Sequence, residues 1–508
     1  MQLPTCLSPI PGGTRWPPPV DIRDLAIRLE TEGVSDMVAR ADFGFEGTWE
    51  MAEAYFSKLS QPAPVWNPPA TLTRTEPRNF LSDYLNGISF GLPLLFSCVA
   101  ILLFRFSLWG GELPSDQASA IGLGIACSFI ASGGFVQAMS RRGLWYIGTC
   151  QFRRCANWTW NSLIQATGAL LLFGVVGVAI SGYFNWFPSR LAWLAAAFYS
   201  SLTLLWLSMG ILYMLEKNLV VAAAALMGIA NVALLHRAFG LDLLLSQMIS
   251  IALAACFGIA VSMLTLKRWS RDRAGEVVRE PAGRTIYYLW PYFVYGCLYF
   301  LFLFGDRLLA WTARTEASGR LFQFRGSYEA AQDVALFAFI FQVGWVHSAT
   351  VRFFKRLKAC QEELSTEQIE EFNYRLTRIY GRMFLWFVPI ALTTTAAVYL
   401  GARSLGFFSD PLQWKVMVWS LAGYMLLVLS LRNASLLFAL SRPLYALRAI
   451  GCACVANIGV GYLLSRFGSY DLAVIGFAIG AAVFAALSTW HSLQVLRRLD
   501  YNYFASAT

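Results

Sequence analysis

Charge is scarce in this chain. Asp, Glu, Lys and Arg make up 14% of its 508 residues, where a soluble globular chain carries about 25%. That shortage excludes an ordinary water-exposed surface. Histidine occurs three times, and His236, His347 and His491 lie too far apart in sequence for a multi-histidine metal site. The cysteines are scattered, and Cys98, Cys127, Cys256 and Cys297 fall inside apolar runs. Cys452 and Cys454 form only a CxC, which matches neither zinc nor haem spacing, and no disulfide framework is expected. The phosphate-cradling GxxxxGK[ST] pattern is missing, which argues against a primary ATP-driven pump. No cofactor and no metal are expected. No signal peptide precedes the first apolar run, which reads as an internal signal-anchor helix.

Hydrocarbon-like sequence is what abounds. The chain is 57% hydrophobic, and its mean hydropathy is +0.52. Long continuous runs exclude the alternating pattern of a membrane barrel, and only helices satisfy their own backbone groups in lipid. The aromatic content of 15% suits interfacial belts of Trp and Tyr. Hydropathy predicts about twelve spans, near 86–108, 117–139, 157–182, 190–214, 218–236, 242–266, 286–311, 329–350, 383–402, 415–440, 444–465 and 472–496. The fold class is therefore all-α integral membrane, with two six-helix bundles and a short N-terminal cytoplasmic extension.

Arginine and lysine set the expected orientation. Arg141, Arg142, Arg153 and Arg154 follow the second span. Lys267, Arg268, Arg271, Arg273, Arg279 and Arg284 follow the sixth. Arg352, Lys355, Arg356, Lys358, Arg375, Arg378 and Arg382 follow the eighth, and Arg497 and Arg498 the last. The positive-inside rule places these connections and both termini in the cytoplasm. Arg314, Arg320 and Arg325 lie on the other side and argue weakly against it. The net charge of +10 thus reads as a topology signal, and nucleic acid is not an expected partner.

The expected organisation is a Pro-rich and amphipathic leader over 1–82, a six-helix bundle over 83–266, a basic linker over 267–285 and a second bundle over 286–508. An amphipathic cytoplasmic segment is expected near 352–382. In the leader, residues 1–19 read as disordered. Ile22, Leu25 and Leu29 recur at helical spacing, and a second helix would carry Trp49, Ala52, Tyr55, Phe56 and Leu59 on one side. Two bundles of equal orientation are what a parallel repeat gives, with a cavity between them.

Function must then be sought in the polar groups kept inside the spans, because each is costly in lipid. Asp306 and Arg307 stand together near the end of the seventh span and are candidates to line the cavity; snorkelling to the interface is the plainer reading. Arg432 and Asn433 lie deep in the tenth span, where an arginine fork would suit an anionic or hydroxyl-rich substrate. Asn161 and Gln165 share a face of the third span. Gln137, Gln342, His347 and Asn457 are further intruders, each more commonly interhelical glue than ligand contact. Tyr295 and Tyr299 belong to an aromatic stripe of the seventh span that offers stacking faces for sugar rings, or serves as an ordinary belt. Gly133–Gly134 and the Gly476–Gly480 pair point to close helix packing.

Several stretches resemble the Pel exopolysaccharide transporter (PelG) family, a branch of the multidrug/oligosaccharidyl-lipid/polysaccharide flippase superfamily. They are Phe129 to Arg141, Gly296 to Trp311, Val346 to Lys355 with the charged helix after it, and Leu496 to Phe504; Asp83 to Phe104 is similar in character to that family's first span. The resemblance covers most of residues 80–508. It implies a two-bundle, MATE-like transporter of the bacterial cytoplasmic membrane that moves a glycan or lipid-linked glycan beside a cytoplasmic glycosyltransferase and other export subunits. It also implies that Asp306 and Arg307 match the family's acidic–basic pair. Two departures stand out: the leader is longer, and Ser132–Gly133–Gly134 lacks the proline that tends to follow the glycine. The alternatives are a cation-coupled multidrug or small-solute exporter of the same fold, and a scaffold subunit of a polysaccharide synthase. An enzyme is disfavoured, because a glycosyltransferase needs paired loop carboxylates.

Overall fold

The computed structural model describes residues 21–31, 34–59, 80–271, 282–313, 321–363 and 368–504. It divides into a small N-terminal unit and a large helical unit.

In the N-terminal unit, helices Ile22–Thr31 and Thr48–Leu59 pack on each other. Leu25, Leu29, Val34, Ala39, Met51, Ala52 and Tyr55 form its core. The second helix differs from expectation: Met51 is buried, whereas Trp49 is 51% exposed. The cause is the turn before the helix, which Thr48 fixes by donating its backbone N–H and its hydroxyl to Asp36 Oδ1 at 2.7 and 2.9 Å. That bonding holds the Asp36 carboxyl below the usual carboxylate range, the backbone N–H of Thr48 contributing most. Replacing Asp36 by Asn is expected to speed amide exchange over residues 21–59 at neutral pH. Because the folded carboxyl titrates lower than the unfolded one, the wild-type advantage is full above about pH 4 and fades as pH falls further. Hydrogen exchange at two pH values checks this. The Pro-rich start over 1–19 and the proline cluster between 62 and 77 lie outside the described residues.

Among its described residues the large unit contains 12 helices long and apolar enough to cross a membrane. In order they are Phe80–Phe104, Ser115–Gly148, Phe152–Tyr183, Ser189–Met214, Asn218–Ala238, Leu243–Ser270, Thr285–Thr312, Gly326–Gln361, Ile369–Ser404, Pro411–Ala439, Pro443–Phe467 and Tyr470–Leu496. Every expected span is present, but many overrun the hydropathy bounds. The eighth helix continues to Glu363 and the ninth begins at Ile369. Among the described residues, the segment expected to be amphipathic near 352–382 is built from the end of the eighth helix and the start of the ninth. Its arginines and lysines tolerate helix well, and nothing there breaks the backbone before residue 364. At the basic linker expected over 267–285, helix reaches Arg271 and resumes at Ala282, and residues 272–281 lie outside the described residues.

The pairings of the first six spans recur in the last six. The second packs on the fourth, the fourth on the sixth, the fifth on the sixth and the first on the fifth. Correspondingly, the eighth packs on the tenth, the tenth on the twelfth, the eleventh on the twelfth and the seventh on the eleventh. The two sixes meet along two seams, first span on eighth and second on seventh. Exchanging the halves turns one seam into the other, as an axis along the membrane normal would require.

Glycine makes both seams possible. A Cβ on Gly87 would sit 2.7 Å from Gly344 Cα, and one on Gly133 would sit 2.7 Å from the carbonyl oxygen of Gly296. Backbone at these points cannot yield as a side chain can. The Gly476 pair of the last span serves the same purpose, its Cβ position lying 2.5 Å from the carbonyl oxygen of Asn457. Gly296→Leu is expected to reduce the yield of monodisperse protein strongly, by overpacking that costs about 1–3 kcal/mol or more. Gly168→Ala, where nothing lies within 4 Å, should leave it unchanged. Size-exclusion profiles and melting temperatures of the two variants decide the point.

Candidate functional site

The seventh and eighth spans hold a buried charged network. Asp306 is fully buried and does not pair with its neighbour Arg307; each turns to the eighth span instead. Tyr328 Oη and Gln332 Nε2 both donate to Asp306 Oδ2, each at 2.5 Å. Oδ1 is left without a side-chain partner. Tyr424 of the tenth span donates to Gln332 Oε1 at 3.1 Å and closes the chain of bonds.

Arg307 takes the other direction. Its Nη1 donates to Glu329 Oε2 at 2.5 Å, and Nη1 and Nη2 both reach Asp333 Oδ1 at 3.3 Å. Trp311 Nε1 donates to the second oxygen of Glu329 at 2.8 Å. Asp306 lies six residues before Thr312, about 9 Å of helix rise, a distance from which a long side chain can snorkel. Arg307 does not: it is 9% exposed and ion-paired. Helix periodicity builds the site. Tyr328 and Gln332 are four residues apart on one stripe of the eighth span, and Glu329 and Asp333 are four apart on the next.

The charges do not balance. Three carboxylates, Asp306, Glu329 and Asp333, surround one guanidinium, and no other cation pairs with them among the described residues. A buried carboxylate without a partner is strongly disfavoured, so such a cluster stays folded by taking up a proton or a cation. Asp333 is the group within reach of water, its side chain 41% exposed. The eighth span packs on the first and the seventh on the second, so the network borders the meeting of the two halves. Phe304 extends it sideways. Arg307 lies over that ring at 5.8 Å, and Phe304 stacks on Phe129 of the second span at 5.4 Å. Phe129 in turn stacks on Trp206 at 4.1 Å, whose indole N–H donates to Ser128 at 3.0 Å.

The other sequence candidates are not brought to this network. Asn433 accepts from Tyr380 Oη at 2.7 Å and donates to Ser488 and Thr489 at 3.2 and 2.9 Å, tying the ninth, tenth and twelfth spans. Arg432 donates to the Tyr380 carbonyl at 3.0 Å and lies over the rings of Tyr380 and Trp345, at 4.3 and 5.5 Å. No carboxylate pairs with it among the described residues. Gln342 donates to Ala391 O, Thr394 and Thr395 within 3.2 Å, locking the eighth span to the ninth. Asn457 donates to Phe302 O at 2.8 Å. Asn161 and Gln165 are exposed on the face of the third span opposite its buried stripe of Cys155, Thr159, Leu163 and Ala166.

The aromatic stripe divides. Tyr287, Tyr288 and Trp290 are exposed, whereas Tyr295 is buried, stacks on Tyr299 at 6.3 Å and meets Phe438 edge-on at 4.7 Å. The residues of this network that sequence reading passed over are Tyr328, Glu329 and Gln332. The four-residue spacing of Tyr328–Gln332 and Glu329–Asp333 was the available signal.

Comparison with known proteins agrees with this architecture. The chain matches the family PelG, described as "Putative exopolysaccharide Exporter (EPS-E)", over residues 84–504. No curated protein matches it. Among solved structures it is similar to a mutant of the Vibrio cholerae MATE transporter VcmN, with a TM-score of 0.59 and 14% identity over 84% of this chain and 99% of that one. A MATE multidrug resistance transporter of the MOP superfamily in an outward-facing conformation gives a TM-score of 0.58 and 14% identity over 85% and 99%. The eukaryotic MATE transporter AtDTX14 gives 0.53 and 17% identity over 84% and 96%. Identities this low carry the fold alone. The family match spans most of the chain and all of its membrane helices apart from the first few residues, and the chain belongs to the PelG family of exopolysaccharide exporters, a multi-pass membrane transporter on the MATE fold and not an enzyme.

Proposed function

We propose that this chain moves an exopolysaccharide, or its lipid-linked precursor, across the bacterial cytoplasmic membrane between its two six-helix halves, and that the network of the seventh and eighth spans governs the exchange between arrangements of those halves. The observation that carries the reading is the surplus of buried carboxylates around Arg307 at the border of the halves. A proton or cation that loads there changes the charge of a water-excluded site. It thereby favours one packing of the halves over another, as a ligand with differential affinity must. The basic connections face the cytoplasm in this reading, with both termini on the same side. A cytoplasmic glycosyltransferase supplies the polymer.

The test is a strain deleted for the gene, scored for surface polysaccharide by lectin or carbohydrate stain. Deletion is expected to remove the polymer and the wild-type gene to restore it; unchanged polymer in the deletion strain would end the reading. The MATE fold favours one alternative, a cation-coupled exporter of small solutes. It would show instead as altered sensitivity to cationic drugs with polymer intact. A chain lacking residues 1–80 separates the leader's role, since lost assembly with a core that still transports would mark the leader as the docking element for a synthase.

A further inference from the structure

One cavity of the large unit lies away from the charged network. It has a volume of about 360 Å³ and lies at the ends of the spans opposite the arginine-rich connections. Asp116 and Ser119 come from the start of the second span. Phe184, Asn185, Trp186 and Phe187 come from the turn joining the third and fourth. Leu321 and Phe322 come from the segment between the seventh and eighth. Both halves of the transporter therefore build it.

Its lining has a particular chemistry. Trp186 meets Phe322 edge-on at 5.8 Å, and Phe187 stacks on Phe322 at 5.9 Å. Phe184 stacks on Trp186 at 5.8 Å. Aromatic faces carry negative charge density, which attracts the weakly positive C–H hydrogens on the flat side of a pyranose ring. Asp116 accepts hydrogen bonds, and Asn185 both donates and accepts, as sugar hydroxyls require. The volume is within the range of small-ligand sites, about 300–1,000 Å³. An interfacial aromatic belt would point its rings outward, as Tyr183 does at 81% exposure. Trp186, Phe187 and Phe322 are instead half-buried and turned towards one another across the two halves. The segment carrying Phe322 is held to the first half, because Phe324 N donates to Ser119 Oγ at 2.9 Å.

We infer that this pocket is a saccharide-binding site that receives one sugar unit of the polymer as it leaves the transporter. The inference rests on the reading of the chain as a glycan exporter and adds to it the place and the residues of the exit site. Because Trp186 and Phe322 belong to opposite halves, any movement of the halves remakes the site, so it binds in one arrangement and releases in another.

Full-length protein in nanodiscs, titrated with chitotetraose and with maltotetraose and read by saturation-transfer NMR and calorimetry, tests the inference. At least one of the two sugars is expected to bind at millimolar concentration or better. Trp186→Ala and Phe322→Ala should each weaken binding about tenfold, while Trp186→Phe and Phe322→Tyr should stay within about threefold. Melting temperatures confirm that each variant is folded. Failure of both sugars to bind the wild type, or equal binding by wild type and folded alanine variants, would overturn the site. The same alleles, scored for surface polymer in the deletion strain, keep the two ideas apart. Restored polymer with an unresponsive pocket removes the exit site alone, and polymer that never depended on the gene removes the export reading.

Discussion

Arg307→Ala is expected to give little folded transporter and no surface polysaccharide. The guanidinium is the one cation bonded to Glu329 and Asp333 among the described residues, and its removal leaves the buried Glu329 without a counter-charge. Breaking a buried pair in this one-sided way costs about 3–5 kcal/mol, a large share of the 5–15 kcal/mol that holds a typical domain folded. Trp311 would also keep its bond to a Glu329 that no longer has a counter-charge. Arg307→Lys keeps the charge but cannot span Glu329 and Asp333 with two nitrogens at once, so partial recovery of yield is the expected result. The double variant Arg307→Ala with Glu329→Ala should be more stable than Arg307→Ala alone, since the orphaned charge leaves with its partner. Size-exclusion yield and melting temperature in detergent measure each step. A single alanine variant as stable as wild type would show that the network is not held by charge.

The same cluster shows where sequence reading succeeds and where it stops. Hydropathy located all twelve spans, because burying a helix in lipid leaves a run of apolar residues that no loop imitates. It placed the ends poorly at the arginine-rich side. Lys355, Arg356 and Lys358 continue the eighth helix, and a polar helix above the membrane has no hydropathy signature. Asp306 and Arg307 were conspicuous because they interrupt such a run. Their partners were not. Glu329 and Asp333 sit in the first turns of a span, where acids ordinarily mark a boundary, and only tertiary packing reveals that Tyr328, Glu329 and Gln332 face inward. Asn433 and Gln342 stood out for the same reason as Asp306, yet geometry gives them interhelical bonds with their donors satisfied. Asn161 and Gln165 share a face as their spacing requires, but which way that face points depends on the neighbours of the third span and not on the span itself. The exit pocket was invisible for a similar reason, since its aromatics come from segments more than a hundred residues apart in the chain.

Asp306→Asn is expected to leave the fold intact and to reduce transport about tenfold or more, equivalent to a rise of at least about 1.4 kcal/mol in the barrier of the step it governs. The side chains are nearly the same shape. Tyr328 and Gln332 donate to one carboxylate oxygen, which the asparagine carbonyl replaces, and the new amide N–H group occupies the position of the oxygen that has no side-chain partner. What asparagine cannot do is gain and lose a proton or hold a cation by charge. If occupancy of the cluster drives the exchange between arrangements of the halves, fixing Asp306 as neutral traps one arrangement, and polymer export falls while melting temperature does not. Export should also lose its dependence on external pH or on the coupling cation. Transport that matches wild type in rate and in pH dependence would remove Asp306 from the coupling step and leave Glu329 and Asp333 to carry it. Transport lost together with the fold would instead assign the carboxylate a structural part, and the melting curve distinguishes the two outcomes in one measurement.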